Sequence, residues 1–209
     1  GDSEVQLLST NGKSVQTFSP ASEVKFSSSA AYAIVKKVPA DALVDGLKLK
    51  KTKKDKMPMD ELIIRNLKTG AEWKIDSLKG YRLAEEGGWL AYQRTRKDSS
   101  LVVASLDGKK KYVLPSASVY GFAKEKAALY FVTKDTVKGK PGMYVWRAEA
   151  PQPVLVKEGK GVFVQPAFDK AGNKLAFLYT DNKKEKDYTL SLWISENGGE
   201  SRELINRTT

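Results

Sequence analysis

The chain has 209 residues, 41% of them hydrophobic, and a formal net charge of +11. It contains no histidine and no cysteine, which excludes Ser–His–Asp and Cys–His catalytic arrangements, disulfides and the usual zinc sites within these residues. It has no run of eighteen apolar residues and no Gly-rich phosphate loop. We therefore expect no membrane span, no catalytic residue, no metal ligand and no cofactor.

The first predicted element is a β-hairpin over residues 4–18, with Asn11-Gly12 as its two-residue turn. It looks like the second half of a four-stranded repeat that lacks its first half. The alternative is an extra hairpin of a small closed barrel.

Four complete repeats follow, each predicted as strand, turn, strand, loop, strand, turn, strand over about 40 residues. The first hairpins share an apolar pattern: Phe26 with Tyr32-Ala33-Ile34, Leu83 with Leu90-Ala91-Tyr92, Phe122 with Leu129-Tyr130-Phe131, and Phe168 with Leu175-Ala176-Phe177. Three second hairpins turn at a glycine: Thr69-Gly70, Asp107-Gly108 and Asn197-Gly198. Period, order and turns together predict the blades of a β-propeller.

We therefore predict an all-β fold, a partial or open β-propeller of about four four-stranded blades plus one N-terminal hairpin. The predicted boundaries are a half blade at 4–18 and blades at 22–76, 79–115, 118–157 and 162–205. An uncovered end blade exposes apolar side chains that are worth about 1.5–3 kcal/mol each when buried. We therefore expect the chain, interpreted as a fragment of a larger propeller, to self-associate.

A lysine-rich loop is predicted over residues 36–59, where eight lysines and three aspartates give +5 of the total charge. Its simplest interpretation is a solvated, mobile loop, and its functional interpretation is contact with an anionic partner. The candidate contact residues are Lys48, Lys50, Lys51, Lys53, Lys54 and Lys56. The loop lacks the aromatic and arginine residues that accompany lysines in nucleic-acid readers, which makes nucleic acid an unfavoured partner.

Tryptophan and paired acids offer weaker candidates. Trp89, Trp146 and Trp193 fall within strand runs and Trp73 in an outer strand, which favours packing over a ligand platform. Glu85-Glu86 lie in a turn, which favours simple solvation. The charged stretch from Asp181 to Asp187 is predicted as a solvated loop.

Two stretches carry a family resemblance: residues 166–177 (PAFDKAGNKLAF) and 190–204 (LSLWISENGGESREL). They resemble the propeller repeat of the prolyl oligopeptidase and dipeptidyl peptidase family and of TolB-like periplasmic proteins. Residues 59–70 (MDELIIRNLKTG) with 88–92 (GWLAY) are similar to exported bacterial peptidases of that family.

The resemblance implies a propeller that covers an α/β-hydrolase domain and restricts access to its Ser–Asp–His site. This chain has no matching catalytic position and no acidic substrate anchor, so no residue role is transferred. The expected function is a non-catalytic domain that gates and selects peptide substrates in an exported or periplasmic serine peptidase. Its expected partners are the missing catalytic domain and peptides. The alternatives are a stand-alone TolB-like protein-binding propeller and a structural array without a ligand.

Overall fold

The computed structural model describes residues 3–10, 12–95, 99–134, 139–181 and 190–206. These residues form sixteen β-strands and one α-helix, together with a short 3₁₀ helix at Lys54–Lys56. In the first half of the chain lie β1 (Val5–Leu8), β2 (Ser14–Phe18), β3 (Ala21–Phe26), β4 (Tyr32–Lys37), α1 (Asp41–Leu49), β5 (Asp60–Asn66), β6 (Glu72–Leu83), β7 (Trp89–Arg94) and β8 (Ser100–Ser105). In the second half lie β9 (Lys111–Phe122), β10 (Ala128–Thr133), β11 (Gly142–Arg147), β12 (Val154–Glu158), β13 (Val162–Phe168), β14 (Lys174–Thr180), β15 (Ser191–Glu196) and β16 (Arg202–Ile205).

The predicted hairpins and glycine turns are present. The strands β1 and β2 pair antiparallel, which confirms the hairpin over 4–18, although Asn11 lies outside the described residues. Asn197 and Gly198 both have positive φ, at 53° and 76°, as a type I′ hairpin turn requires. Most of the predicted loop from Asp181 to Asp187 also lies outside the described residues.

The chain divides into two compact units, which are described separately. The first comprises Gly1–Tyr81, Tyr92–Ser99 and Leu106–Lys109. Here β3, β4, β5 and β6 pair antiparallel in chain order. Leu7 and Phe18 of the β1–β2 hairpin share a buried cluster with Ala33, Val35 and Ile63 of this sheet. Burial of these apolar side chains attaches the hairpin to the sheet.

The second unit comprises Arg82–Ala91, Ser100–Ser105 and Lys110–Thr209. In it β9 to β12 pair antiparallel in chain order, and β13 to β16 form a four-stranded antiparallel sheet. Apolar side chains from both sets of strands form an inter-sheet core, which consists of Val132, Met143, Val145, Val156, Phe163, Leu175, Phe177 and Tyr179. Alternation along each strand sends every second side chain into this core.

The lysine-rich segment departs from the prediction of a loop, because residues 41–49 are helical. Local chemistry explains the helix. Pro39 stands just before it, Asp41 lies in its first turn and Lys48 in its last, which complements the helix dipole. Leu43 and Leu47 are one turn apart, so a helical signal was present in the sequence beside the more conspicuous lysines. Of the helices in the described residues, none has the length and apolarity to cross a membrane.

Two glycines offer a matched test of backbone packing. A Cβ added at Gly161, just before β13, would collide with the backbone oxygen of Thr180, whereas a Cβ at Gly46 in α1 would meet open space. We expect Gly161→Ala to lower the free energy of unfolding by about 1–3 kcal/mol, as overpacking does. Gly46→Ala should raise it by up to about 1 kcal/mol, because alanine favours a helix. Urea denaturation followed by tryptophan fluorescence measures both, and equal effects would contradict the structure.

Candidate functional site

An aromatic pocket lies in the second unit where the ends of β9 and β13 come together. Its walls are Phe122 and Tyr130 on one side and Pro166 and Phe168 on the other, and its volume is about 470 Å³. The rings of Tyr130 and Phe168 are 5.7 Å apart, in a tilted arrangement. Concave, mostly apolar sites of about 300–1,000 Å³ are typical of small-ligand recognition. We refer to these four residues as the aromatic pocket.

A glycine positions the tyrosine of the pocket. Tyr130 on β10 lies directly opposite Gly121 on β9. A Cβ at Gly121 would stand 2.7 Å from the Tyr130 hydroxyl oxygen, so only a glycine leaves room for this ring to lie across the neighbouring strand. The ring therefore reaches the aromatic pocket because the residue paired with it has no side chain.

Two turns hold the rim of the pocket together. The backbone N–H of Glu125 donates to the carbonyl oxygen of Lys170 at 3.1 Å, and the Lys170 ammonium forms an ion pair with the Glu125 carboxylate at 2.9 Å. Lys126 Nζ donates to Asn173 Oδ1 at 2.8 Å. The turn after β9 is thus bound to the turn after β13 by backbone and side-chain contacts.

Asp169 stabilises the second of these turns from inside. Its Oδ1 accepts the backbone N–H groups of Asn173 at 2.7 Å and of Lys174 at 2.8 Å. The hydrogen bond from Lys174, followed by that from Asn173, lowers the pKa of Asp169 below its usual value. The carboxylate is therefore ionised at neutral pH and keeps the turn closed.

The electrostatics of the pocket favour a neutral tyrosine beside positive charge. Burial raises the pKa of Tyr130 and of Tyr120, while the guanidinium of Arg82 partly opposes this. Both phenols are therefore protonated at neutral pH. Lys124 and Lys170 stand exposed at the rim. The arrangement can accept an apolar side chain against the contacting rings of Tyr130 and Phe168, and Lys124 can attract a carboxylate at the edge.

The pocket lacks the residue types of Ser–His–Asp and Cys–His sites. The chain has no histidine or cysteine to serve as a base or a nucleophile. In the part of the chain that the structure describes, no group of three or more acidic side chains is placed to hold a metal ion.

The structure places the six candidate lysines in and after α1. Lys48 lies in the last turn of the helix and forms an ion pair with Asp45 at 3.1 Å, and all six lysines are exposed. They lie in the first unit, whereas the aromatic pocket lies in the second. An anionic partner for these lysines stays a prediction.

The four tryptophans differ in how deeply they are buried. Trp89 and Trp146 are buried, as predicted. Trp193 is only half-buried, and Trp73 is half-buried with its indole N–H donating to the carbonyl oxygen of Leu106 at 2.9 Å. Glu85 and Glu86 are exposed, which confirms the solvated turn.

The sequence analysis assigned Phe122, Tyr130 and Phe168 to strands but did not predict that they form a pocket. Phe122 and Phe168 occupy the same place in successive repeats, at the end of the first strand and shortly before its turn. An aromatic residue repeated at the end of a strand was the available signal. The packing that brings Phe122, Tyr130 and Phe168 together was not visible in the sequence.

No protein-family model matches the chain, and no curated protein matches it. Several solved structures are similar to this chain. The structure of the tricorn protease aligns with a TM-score of 0.55 at 11% identity over 90% of this chain and 19% of that one. A structure from an analysis of two prolyl endopeptidases aligns with a TM-score of 0.54 at 14% identity, over 89% of this chain and 29% of that one.

The β-propeller domain of the Trilobed protease from Pyrococcus furiosus aligns with a TM-score of 0.52 at 14% identity, over 89% of this chain and 57% of that one. The shared fold is the β-propeller. The predicted all-β propeller class is thereby confirmed, while the individual blade boundaries stay predictions. The chain spans less than two thirds of each of these proteins.

The likeness establishes fold and not activity. A dihydro-heme d1 dehydrogenase, NirN, aligns equally well, with a TM-score of 0.53 at 12% identity. Proteins of different function use this fold, so function has to be argued from the site.

Proposed function

We propose that this chain is part of a non-catalytic propeller of a serine peptidase of the prolyl oligopeptidase and dipeptidyl peptidase type. It would restrict access to a catalytic domain outside these residues and contact the peptide on its way there. We further propose that the parent protein is exported, as the similarity of residues 59–70 to exported bacterial peptidases implies.

The observation that carries the proposal is an aromatic pocket with an exposed lysine, Lys124, at its rim, on a propeller-like fold that proteases also use. A peptide offers what this pocket accepts, namely an apolar side chain for the rings of Tyr130 and Phe168 and a carboxylate for Lys124. The lack of histidine and cysteine fits a domain that binds and leaves hydrolysis to another.

The test uses the 209-residue chain and fluorescein-labelled decapeptides that carry phenylalanine or serine at the centre. We expect weak binding of the phenylalanine peptide by fluorescence anisotropy, with a Kd of about 0.1–1 mM. The serine peptide should bind several-fold more weakly, because it fills no apolar site. Neither peptide should be cleaved.

Phe168→Ala removes one wall of the pocket and should weaken binding of the phenylalanine peptide at least about fivefold, a loss of about 1 kcal/mol. Val113→Ala is the matched control, since Val113 is 64% exposed on β9 and does not line the pocket. Equal affinity of both variants for the peptide, or peptide cleavage by the chain alone, would overturn the proposal.

The parent reading frame separates this function from the TolB-like alternative. A downstream Gly-x-Ser-x-Gly followed by Asp and His supports the peptidase. A stop codon soon after Thr209 supports a stand-alone protein-binding propeller.

A further inference from the structure

The positive charge of the lysine-rich segment is concentrated in its second half. Over residues 36–47 two lysines are balanced by two aspartates, whereas over residues 48–56 six lysines are opposed only by Asp55, which leaves a charge of +5. All six lysines are exposed. Lysine is almost never fully buried in proteins, so these residues stay at the surface of any longer protein that contains this chain. We refer to residues 48–56 as the basic segment.

The end of α1 gives the basic segment a defined start. The backbone N–H of Thr52 donates to the carbonyl oxygen of Leu47 at 3.0 Å, and the N–H of Lys51 donates to the carbonyl oxygen of Lys48 at 2.8 Å. Lys51 has a positive φ of 51°, and this conformation with these two hydrogen bonds is the Schellman motif, which ends a helix and turns the chain. Leu49, the last residue of α1, therefore lies at a bend of the chain.

Leu49 is the apolar residue of the basic segment. It is 85% exposed, more than any other large apolar side chain in the part of the chain that the structure describes. Val44 and Leu47, three residues apart on α1, are half-buried, so the side of the helix that they share is the more buried one. Lys48 and Lys50 flank Leu49 and are exposed with it. Leu49 can therefore enter an apolar phase, with lysines beside it, without any change in the fold.

The combination of lysines and a leucine distinguishes the classes of anionic partner. Lysines alone suit any polyanion. Proteins that bind nucleic acid stack aromatic rings or arginines on the bases, and the basic segment contains neither. An aliphatic side chain surrounded by lysines matches an anionic lipid surface, because the headgroup phosphates attract the lysines and the boundary with the acyl chains accepts the leucine.

We propose that the basic segment docks on an anionic lipid surface, with its lysines at the headgroup phosphates and Leu49 inserted between the headgroups. The inference names the partner for the six candidate lysines. It does not depend on the proposed function, because the aromatic pocket belongs to the other unit and takes a peptide.

The charge of the basic segment sets the strength of docking. Each lysine close to an anionic membrane strengthens binding about fivefold. A single acyl anchor gives only marginal, reversible binding, and we expect the basic segment to be similar or weaker, with a Kd on the order of 0.1–1 mM lipid. The attraction is screened over about 10 Å at 0.1 M salt, so binding should fall as salt is added.

Sedimentation with vesicles measures the docking of the 209-residue chain. At about 0.1 M salt we expect binding to phosphatidylcholine vesicles that contain about 30% phosphatidylglycerol, and none to phosphatidylcholine alone. A variant that combines Lys50→Gln, Lys53→Gln and Lys56→Gln should bind at least about tenfold more weakly. The matched control removes the same charge in and beside the turn between β8 and β9 and should change binding less than about twofold. Its three exposed lysines, each changed to glutamine, are Lys109, Lys110 and Lys111.

Leu49→Ser separates a lipid surface from other polyanions. It should weaken binding to the anionic vesicles at least about threefold, because serine gains nothing from insertion. Leu8→Ser changes a leucine that is 59% exposed on β1 and should leave vesicle binding unchanged. Retention of the chain by double-stranded DNA or polyglutamate should not respond to Leu49→Ser. Equal binding to both kinds of vesicle, no binding to either, tighter binding to DNA or polyglutamate, or a vesicle affinity indifferent to Leu49→Ser would overturn the proposal.

A fluorescent probe reports insertion directly. The chain has no cysteine, so Leu49→Cys and Leu8→Cys each introduce a single thiol for an environment-sensitive dye. We expect the dye at position 49 to brighten and shift to the blue with anionic vesicles, and the dye at position 8 to stay unchanged. Equal responses at the two positions would show that Leu49 does not insert and would overturn the proposal.

Discussion

Trp146→Ala is expected to lower the free energy of unfolding by about 3–5 kcal/mol, the largest effect of any single substitution that we predict. Trp146 has no exposed surface. It belongs to a second buried cluster of this unit, separate from the inter-sheet core, together with Trp89, Leu129 and Phe131. Its ring centroid lies 5.2 Å from that of Trp89 and 5.6 Å from that of Tyr112. Truncation leaves a cavity the size of an indole at the centre of this group, and the surrounding strands cannot collapse to fill it.

The repeat provides the matched control. Trp193 stands at the corresponding place in the next repeat but is only half-buried. Trp193→Ala should therefore cost less than half as much as Trp146→Ala. The indole nitrogen of Trp146 has no hydrogen-bond partner among the described residues, so Trp146→Phe forfeits volume alone and should cost about 1–2 kcal/mol. Urea denaturation followed by circular dichroism measures all three, and equal costs at positions 146 and 193 would contradict the burial difference.

Tyr179→Phe is expected to protect the chain against alkaline unfolding. Burial, the hydrogen bond to the Asp181 carboxylate and the charge of that carboxylate together raise the pKa of Tyr179 to about 12. In the unfolded chain the phenol titrates near 10. Because the folded-state pKa is the higher one, the contribution of this group to stability is complete below pH 10 and is lost as pH rises towards 12.

The expected loss is about 2 kcal/mol between pH 9 and pH 12, from a pKa difference of about two units. Phenylalanine keeps the ring contact with Phe163, at 4.7 Å between centroids, but cannot ionise. The measurement is the free energy of unfolding of both proteins at several pH values. The difference at pH 8 gives the cost of the lost hydroxyl, and only its change above pH 10 reports titration. A constant difference across this range would contradict the pKa assignment.

The lysine-rich segment 36–59 shows where local and global signals diverge. The lysines of this segment suggested a solvated loop, yet residues 41–49 contain only one of them, and there Asp41, Lys48 and the apolar residues between them favour a helix. Net charge sets what a segment attracts, while residue spacing sets the conformation it adopts. The anionic partner stays a prediction, and five of its six candidate lysines follow α1 rather than lie in it.

The sequence by itself determined the strands, the glycine turns and the repeat, because alternation and turn chemistry act within a few residues of each other. It also excluded Ser–His–Asp and Cys–His arrangements within these residues, since a missing residue type needs no structure to be recognised. Only the tertiary structure decided that Trp146 is buried while Trp193 is half-buried, and that Phe122, Tyr130 and Phe168 form one pocket. These facts depend on which sheet packs on which face, and packing joins residues that are distant in the chain and therefore leaves no local pattern to read.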